Sequence, residues 1–283
     1  MVEGWRDWGG SGPVLHLAHA NGFPPASYRT LIALLTPRFR VVSTAARPLW
    51  VASRPDDIDS WAPLAEDLAR SLDDRGLRDV IGVGHSLGGV LTPWAASMRP
   101  GLFGSLVLID PVLFACVRAV FWRWMKRFGL EHRLPLIRAT TRRRDRFPDV
   151  ETARVQWARR AVFAGFDPRC FEDYLASALE PDPGGGVVLT YPKAWEARIF
   201  ELTPDDPWPR LEELDLPVTV LAGATSDTFL PGAARRIRRT LPHARVEVVP
   251  DTSHFLPFER PEEVARRIVA AVDGSGDAAR SGG

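Results

Sequence analysis

Gly84-His85-Ser86-Leu87-Gly88 sets a serine two residues from a glycine on either side, between an apolar β-type run and an apolar helical run. A serine hydroxyl becomes a nucleophile when a positioned base takes its proton and a carboxylate holds that base. A Gly-x-Ser-x-Gly at a strand-to-helix turn lifts the hydroxyl above a sheet, on a backbone too tight for a Cβ at either glycine. The pattern is short enough to arise by chance, and a serine opening a helix can be a plain N-cap. Context favours the nucleophile. Asp79–Val83 is a short β-branched run, and Val90, Leu91, Trp94, Ala95 and Met98 recur at helical spacing until Arg99-Pro100-Gly101 stops them. An ordinary N-cap needs neither glycine nor a buried strand before it.

Six histidines compete for the role of base. His16 lies within a strand pattern, His85 sits beside the serine with its ring expected to point away, and His243 reads as a surface helix end. His132 falls in a helical insertion. His254 differs from these, because Val249-Pro250-Asp251-Thr252-Ser253-His254 places it on the loop between the last strand and the last helix. For the orienting acid, Asp227 follows the strand Val218–Ala222 and precedes His254, giving the chain order Ser, Asp, His of a sheet hydrolase. Asp227 is therefore the first candidate. Asp110 is second, at the end of the strand after the Ser86 helix, and Asp251 is too close to His254 in sequence to orient its ring. A tetrahedral oxyanion needs N–H donors, and the Leu87 N–H at the helix N-terminus is one. The polar turn His19-Ala20-Asn21-Gly22-Phe23-Pro24 after an early strand can supply the second.

These residues require a scaffold that brings strand ends together. Strand patterns at 14–18, 38–44, 79–83, 106–109, 218–222 and 246–249 alternate with helical patterns at 26–35, 60–74, 232–240 and 262–272. Near-continuous apolar strands alternating with helices predict an α/β fold with a doubly wound, mainly parallel sheet. Residues 112–206 break the alternation. They carry helical patterns near 114–128, 149–164 and 168–179, separated by breaks such as Pro181–Gly186, and predict a helical cap over Ser86. The expected division is a core of 1–111 and 207–273, a cap of 112–206, and a disordered tail over 274–283. Trp122, Trp124, Phe121, Phe128, Trp157 and Phe163 are the cap aromatics available to an apolar pocket. The run Arg142-Arg143-Arg144-Asp145-Arg146 reads as a solvated surface with local Arg–Asp pairing.

With 283 residues the chain can bury a large core, and its formal net charge of +1 gives no reason to expect nucleic acid or an anionic membrane as partner. All but Lys126 and Lys193 of its 36 basic residues are arginine. Cys116 and Cys170 are too few for a disulfide framework and lack partners at metal spacing. The N-terminus shows no signal peptide and no apolar run approaches a membrane span, so a cytoplasmic setting is expected.

Taken together, His19–Pro24, Gly84-His85-Ser86-Leu87-Gly88-Gly89, Leu108-Ile109-Asp110-Pro111, the Asp227 loop and His254–Pro261 resemble the α/β-hydrolase superfamily, over residues 14–111 and 216–272. The resemblance implies a sheet of up to eight strands, a helical cap after the sixth, no cofactor, and a Ser86–His254–Asp227 triad. It also sharpens the oxyanion site. Where the family has His-Gly this chain has His19-Ala20 followed by Asn21-Gly22. Matching from His19 puts the donor N–H on Asn21, while matching Asn21-Gly22 puts it on Phe23. The spacing from His19 to Tyr28 favours Asn21. A single short strand at most fits before Val14.

The expected activity is hydrolysis of a small to medium apolar carboxylic ester through an acyl-enzyme on Ser86, with a small molecule as the partner. The same triad serves amides, lactones and C–C bonds. Serine at 86 argues against the branches of the fold that use a carboxylate nucleophile. A non-catalytic ligand-binding protein is the reading from a different class, and it has little use for serine, histidine and acid in register.

Overall fold

The computed structural model describes residues 4–280; Met1–Glu3 and Ser281–Gly283 lie outside them. β1 (Trp5–Gly9), β2 (Val14–Ala18), α1 (Arg29–Leu35) and β3 (Arg40–Thr44) come first. They are followed by α2 (Ala62–Asp73), β4 (Val80–His85), α3 (Gly88–Met98) and β5 (Phe103–Ile109). The next stretch holds α4 (Cys116–Arg127), α5 (Pro135–Arg142), β6 (Arg146–Phe147), α6 (Val150–Ala158), α7 (Pro168–Ala178), β7 (Leu179–Pro181), β8 (Val187–Leu189) and α8 (Lys193–Glu201). α9 (Pro209–Glu212) leads back to β9 (Val218–Gly223), α10 (Pro231–Thr240), β10 (Arg245–Val249), α11 (Leu256–Glu259) and α12 (Pro261–Arg280).

Among the described residues seven strands form the main sheet, in the order β1-β3-β2-β4-β5-β9-β10. β1 pairs antiparallel with β3, and every other neighbour is parallel. The chain winds outward from β2 to β3, then crosses to the other side of β2 with β4. That reversal opens a crevice at the carboxyl ends of β2 and β4, where open α/β sheets hold their ligands. The parallel register lines those ends up: Ala18 is level with Gly84, His85 with Ile109, Ile109 with Leu221, and Gly223 with Val249.

Period-two alternation divides the core between two faces. Leu106 and Leu108 of β5 pack with α2, α3 and α10 through Leu68, Leu91, Trp94 and Ile237, whereas Val107 and Ile109 face α1 and α12 through Leu31, Leu35, Val264 and Ile268. Each such fully buried aliphatic side chain contributes about 1.5–3 kcal/mol. β4 is buried along its whole length, as a central strand covered on both faces must be.

The single strand before Val14 means that the insertion follows the fifth strand of this chain, not the sixth. Its backbone is mainly helical, with helices where periodicity placed them at 116–127, 150–158 and 168–178. It also contains a small antiparallel sheet in the order β6-β8-β7, so the Pro181–Gly186 break is a hairpin turn rather than an interhelical linker. α8 ties the insertion to the core, since Trp195 and Ile199 pack into the same cluster as α2 and α3. The backbone of the expected disordered tail is helical as far as Arg280. No helix among the described residues is long and apolar enough to cross a membrane.

Candidate active site

Ser86 directly follows β4 with φ of 55°, in the left-handed region that side chains other than glycine seldom adopt. The turn is held by Ser86 N–H donating to Ile109 O at 3.0 Å. Both flanking glycines are required by contact. A Cβ on Gly84 would stand 2.2 Å from Gly88 O, and a Cβ on Gly88 would stand 2.1 Å from Ala18 O. These are backbone atoms that cannot rotate away, so the strand and helix meet at Ser86 only with glycine at both positions.

His254 Nε2 lies 2.9 Å from Ser86 Oγ, and its Nδ1 lies 2.9 Å from Asp110 Oδ1. An ionised carboxylate can only accept, so the proton belongs on Nδ1, and Nε2 is left to accept from the serine hydroxyl. The histidine loop is pinned on two sides. Ser253 donates through its N–H and Oγ to the Glu259 carboxylate at 2.7 and 2.6 Å, and the carbonyl of His254 accepts from His85 Nε2 at 3.0 Å.

The expected acid at Asp227 is corrected by this geometry: the carboxylate that meets His254 is that of Asp110. Asp110 is fully buried, and besides His254 it accepts from Ser226 Oγ at 2.6 Å and from Gly223 N–H at 2.9 Å. Asp227 is exposed, with its carboxylate accepting from its neighbour Thr228 Oγ1. The cause is the path of the loop after β9. A Cβ on Gly223 would stand 2.1 Å from Ser253 O, so this loop runs hard against the histidine loop, and it is Ser226, not Asp227, that reaches the Asp110 carboxylate.

Tyr28 and His85 form a buried relay that links the early loop to the histidine loop. Ala20 N–H donates to Tyr28 Oη at 3.0 Å, and Tyr28 O–H donates to His85 Nδ1 at 2.7 Å. Burial holds the His85 ring well below the usual histidine range, with the neighbouring His254 adding to the effect, so it stays neutral. His16 and His19 are likewise structural. His16 meets Thr44 Oγ1 at 3.1 Å and is pushed down by burial to about 3. His19 accepts from Ala46 N–H at 2.9 Å and is pushed down by burial to about 4.

Both expected oxyanion donors border the same cavity as Ser86. The Phe23 N–H is spent on Ala20 O at 3.2 Å, whereas the N–H groups of Asn21 and Leu87 have no partner in the protein among the described residues. The Asn21 side chain is fixed instead by donating to Glu196 O at 3.0 Å and accepting from Tyr191 O–H at 2.9 Å. Gly22 turns the loop at φ of 78°, and a Cβ there would stand 3.0 Å from the Glu196 carboxyl carbon. Glu196 pairs with Arg143, its Oε1 accepting from Nη1 at 3.1 Å, while burial pushes its carboxyl upward against the pull of that cation. Arg143 thus leaves the solvated surface expected for the Arg142–Arg146 run, and Asp145 pairs with Lys193 rather than with an arginine of the run.

Above Ser86 lies a cavity of about 590 Å³. Phe121, Trp122, Trp157 and Phe163 border it as expected, while Trp124 and Phe128 stand exposed against each other with ring centroids 5.1 Å apart. Sequence patterning did not reveal the part of Phe23 and Phe255, which line the cavity from the core loops, or of Phe114 at the start of the insertion. Among the described residues no group of three His, Cys, Asp or Glu side chains is placed to hold a metal ion.

The sequence profile of the alpha/beta hydrolase family matches residues 15–267. The 2-(acetamidomethylene)succinate hydrolase of Mesorhizobium japonicum is 25% identical over 268 residues, spanning 93% of this chain and 89% of the relative. A type I acyl-CoA thioesterase of Penicillium brevicompactum is 33% identical over 116 residues, 40% of this chain and 25% of its own length. The crystal structure of E-2-(acetamidomethylene)succinate hydrolase has the same fold, with a TM-score of 0.80 at 23% identity over 95% of this chain and 94% of that one.

Proposed function

The chain belongs to the alpha/beta hydrolase family and is a hydrolase, and we propose that it cleaves a small to medium carboxylic ester with an apolar portion through an acyl-enzyme on Ser86. The observation that carries this reading is the line of two 2.9 Å contacts from Ser86 through His254 to the buried Asp110, beneath a cavity with many apolar and aromatic walls.

In the first half-reaction His254 Nε2 takes the Ser86 proton as Oγ bonds to the ester carbonyl carbon. The oxyanion accepts from the Leu87 and Asn21 N–H groups, and Asp110 stabilises the imidazolium. Collapse breaks the bond to the leaving alkoxide, which takes the proton from His254. A water then gives its proton to His254 while its oxygen attacks the acyl carbon, and Ser86 departs with that proton as the carboxylic acid is released. A p-nitrophenyl ester series of increasing acyl length tests the reading beside Ser86→Ala. Turnover should vanish in the variant, and retained turnover would overturn it.

Amide cleavage is the second reading. It uses the same steps, with His254 protonating a leaving nitrogen. It is favoured by one observation, that the relative spanning 93% of the chain is named for a substrate carrying an acetamido group.

A further inference from the structure

Arg118, Arg143, Arg144 and Arg160 all border the cavity above Ser86. Glu196 neutralises Arg143. The other three guanidinium groups have no carboxylate within ion-pair distance among the described residues. Arg118 donates to the backbone carbonyl of Asp227 and lies 4.3 Å from the centroid of the Phe114 ring. Arg144 sits 5.4 Å from the centroid of Phe147. The Arg160 side chain makes no polar contact with the protein among the described residues.

Several arginines of the open surface are matched to carboxylates, as in Arg40–Asp7, Arg154–Glu172, Arg169–Asp167 and Arg267–Glu247. The cavity instead holds four guanidinium groups against the carboxylates of Glu196 and Asp227, an excess of two positive charges. Arg118 is half-buried, and burial pulls it below the usual guanidinium range although the Asp227 carboxylate works in the other direction. A guanidinium remains charged under such a shift, so its lost hydration is left for a ligand to replace.

We propose that the substrate of Ser86 carries an anionic group, a carboxylate or a phosphate, which Arg118 binds while Arg144 and Arg160 draw it to the cavity. The inference rests on the serine-hydrolase reading of the site and adds a charge to the substrate. A planar guanidinium matches either oxyanion through paired N–H donors. Its place relative to the chemistry follows from contacts. Arg118 is bonded to the Asp227 carbonyl, the adjacent Ser226 to Asp110, and Asp110 to His254. The anion therefore sits on the histidine side of the cavity. The aromatic walls take the apolar portion of the substrate.

The test compares matched neutral and anionic substrates. p-Nitrophenyl hydrogen glutarate is set against p-nitrophenyl butyrate for a carboxylate, and butyryl-CoA against butyryl-N-acetylcysteamine for a phosphate. At least one anionic member should exceed its neutral partner in kcat/KM by on the order of 10- to 100-fold. That ratio should fall toward one in Arg118→Gln and should shrink with added salt. The pair that shows it identifies the anion. Ratios near one in both pairs, with turnover that depends on Ser86, would overturn the inference and leave the hydrolase reading standing. Loss of Ser86-dependent turnover on every substrate would strike the hydrolase reading instead. Binding to Ser86→Ala decides in that event: methyl hydrogen glutarate or coenzyme A should bind more tightly than dimethyl glutarate or N-acetylcysteamine, and a lack of preference would overturn the inference. Arg160→Gln, at an exposed position, should reduce the same ratio without threatening the fold.

Discussion

His254 Nδ1 lies 2.9 Å from Asp110 Oδ1, although the two residues are 144 positions apart. They meet because β5 and β10 end at one edge of the same sheet, separated only by β9. Replacing Asp110 by Asn keeps the shape but offers an N–H or a weaker acceptor to Nδ1, favouring the wrong tautomer. Asp110→Asn should lower kcat by about 10⁴-fold with the fold retained by circular dichroism. Asp227→Asn should change kcat only a few-fold. Steady-state kinetics on the two purified variants checks this, and the reverse order would show that the acid is misassigned.

The elbow itself can be tested through stability. Gly84→Ala and Gly88→Ala each drive a Cβ to within 2.2 Å of a backbone oxygen. Each should cost at least about 1–3 kcal/mol in urea unfolding. Gly104→Ala is the control for adding a Cβ without a clash, since it too lies outside the left-handed region and its Cβ would come no nearer than 3.4 Å to any atom. Equal losses at all three positions would argue against steric closure at Ser86.

Tyr28 serves two groups at once, Ala20 N–H and His85 Nδ1. Tyr28→Phe leaves both buried and unpaired, so unfolding should become easier by about 1–3 kcal/mol. Because the relay ends on the His254 carbonyl, kcat should fall as well. An unchanged kcat with lowered stability would confine the relay to folding.

Burial holds His16 down to about 3 and His19 to about 4, with His85 also well below the ordinary range. In the unfolded chain all three titrate near about 6.5. Above that pH neither state is protonated at these rings, and their contribution to stability is fully present. As the pH falls below it, the unfolded chain takes up protons that the native state refuses, so stability drops. The slope per ring is up to about 1.4 kcal/mol per pH unit, and for His19 it flattens near about pH 4 as the native ring also protonates. Urea midpoints measured from about pH 7 to about pH 4 should decline. A flat profile would contradict neutral burial of these rings.

Most of the scaffold was readable from pattern. Strands buried on both faces leave near-continuous apolar runs, and Ser86 announces itself by lying just past one, His254 by its place between the last strand pattern and the last helix. The acid did not, because Asp110 and Asp227 both follow neighbouring strands that end at one level. Which of them meets His254 depends on the loop after β9, whose path is set by the contact between Gly223 and Ser253. The proximity of two loops does not show in periodicity. Arg143 was hidden for a related reason: a run of arginines reads as solvated, and only the partner Glu196, 53 residues away, reveals that it is half-buried. The cap aromatics were half legible, since composition marks them as apolar but not which side of α4 faces the cavity.

The most direct test of the account is the site of covalent modification by a fluorophosphonate ester, read by intact mass and peptide mapping. The account predicts one adduct on Ser86, formed at a rate that collapses in Asp110→Asn, and no adduct together with no esterase activity in Ser86→Ala. An adduct on another residue, or esterase activity surviving in Ser86→Ala, would contradict it.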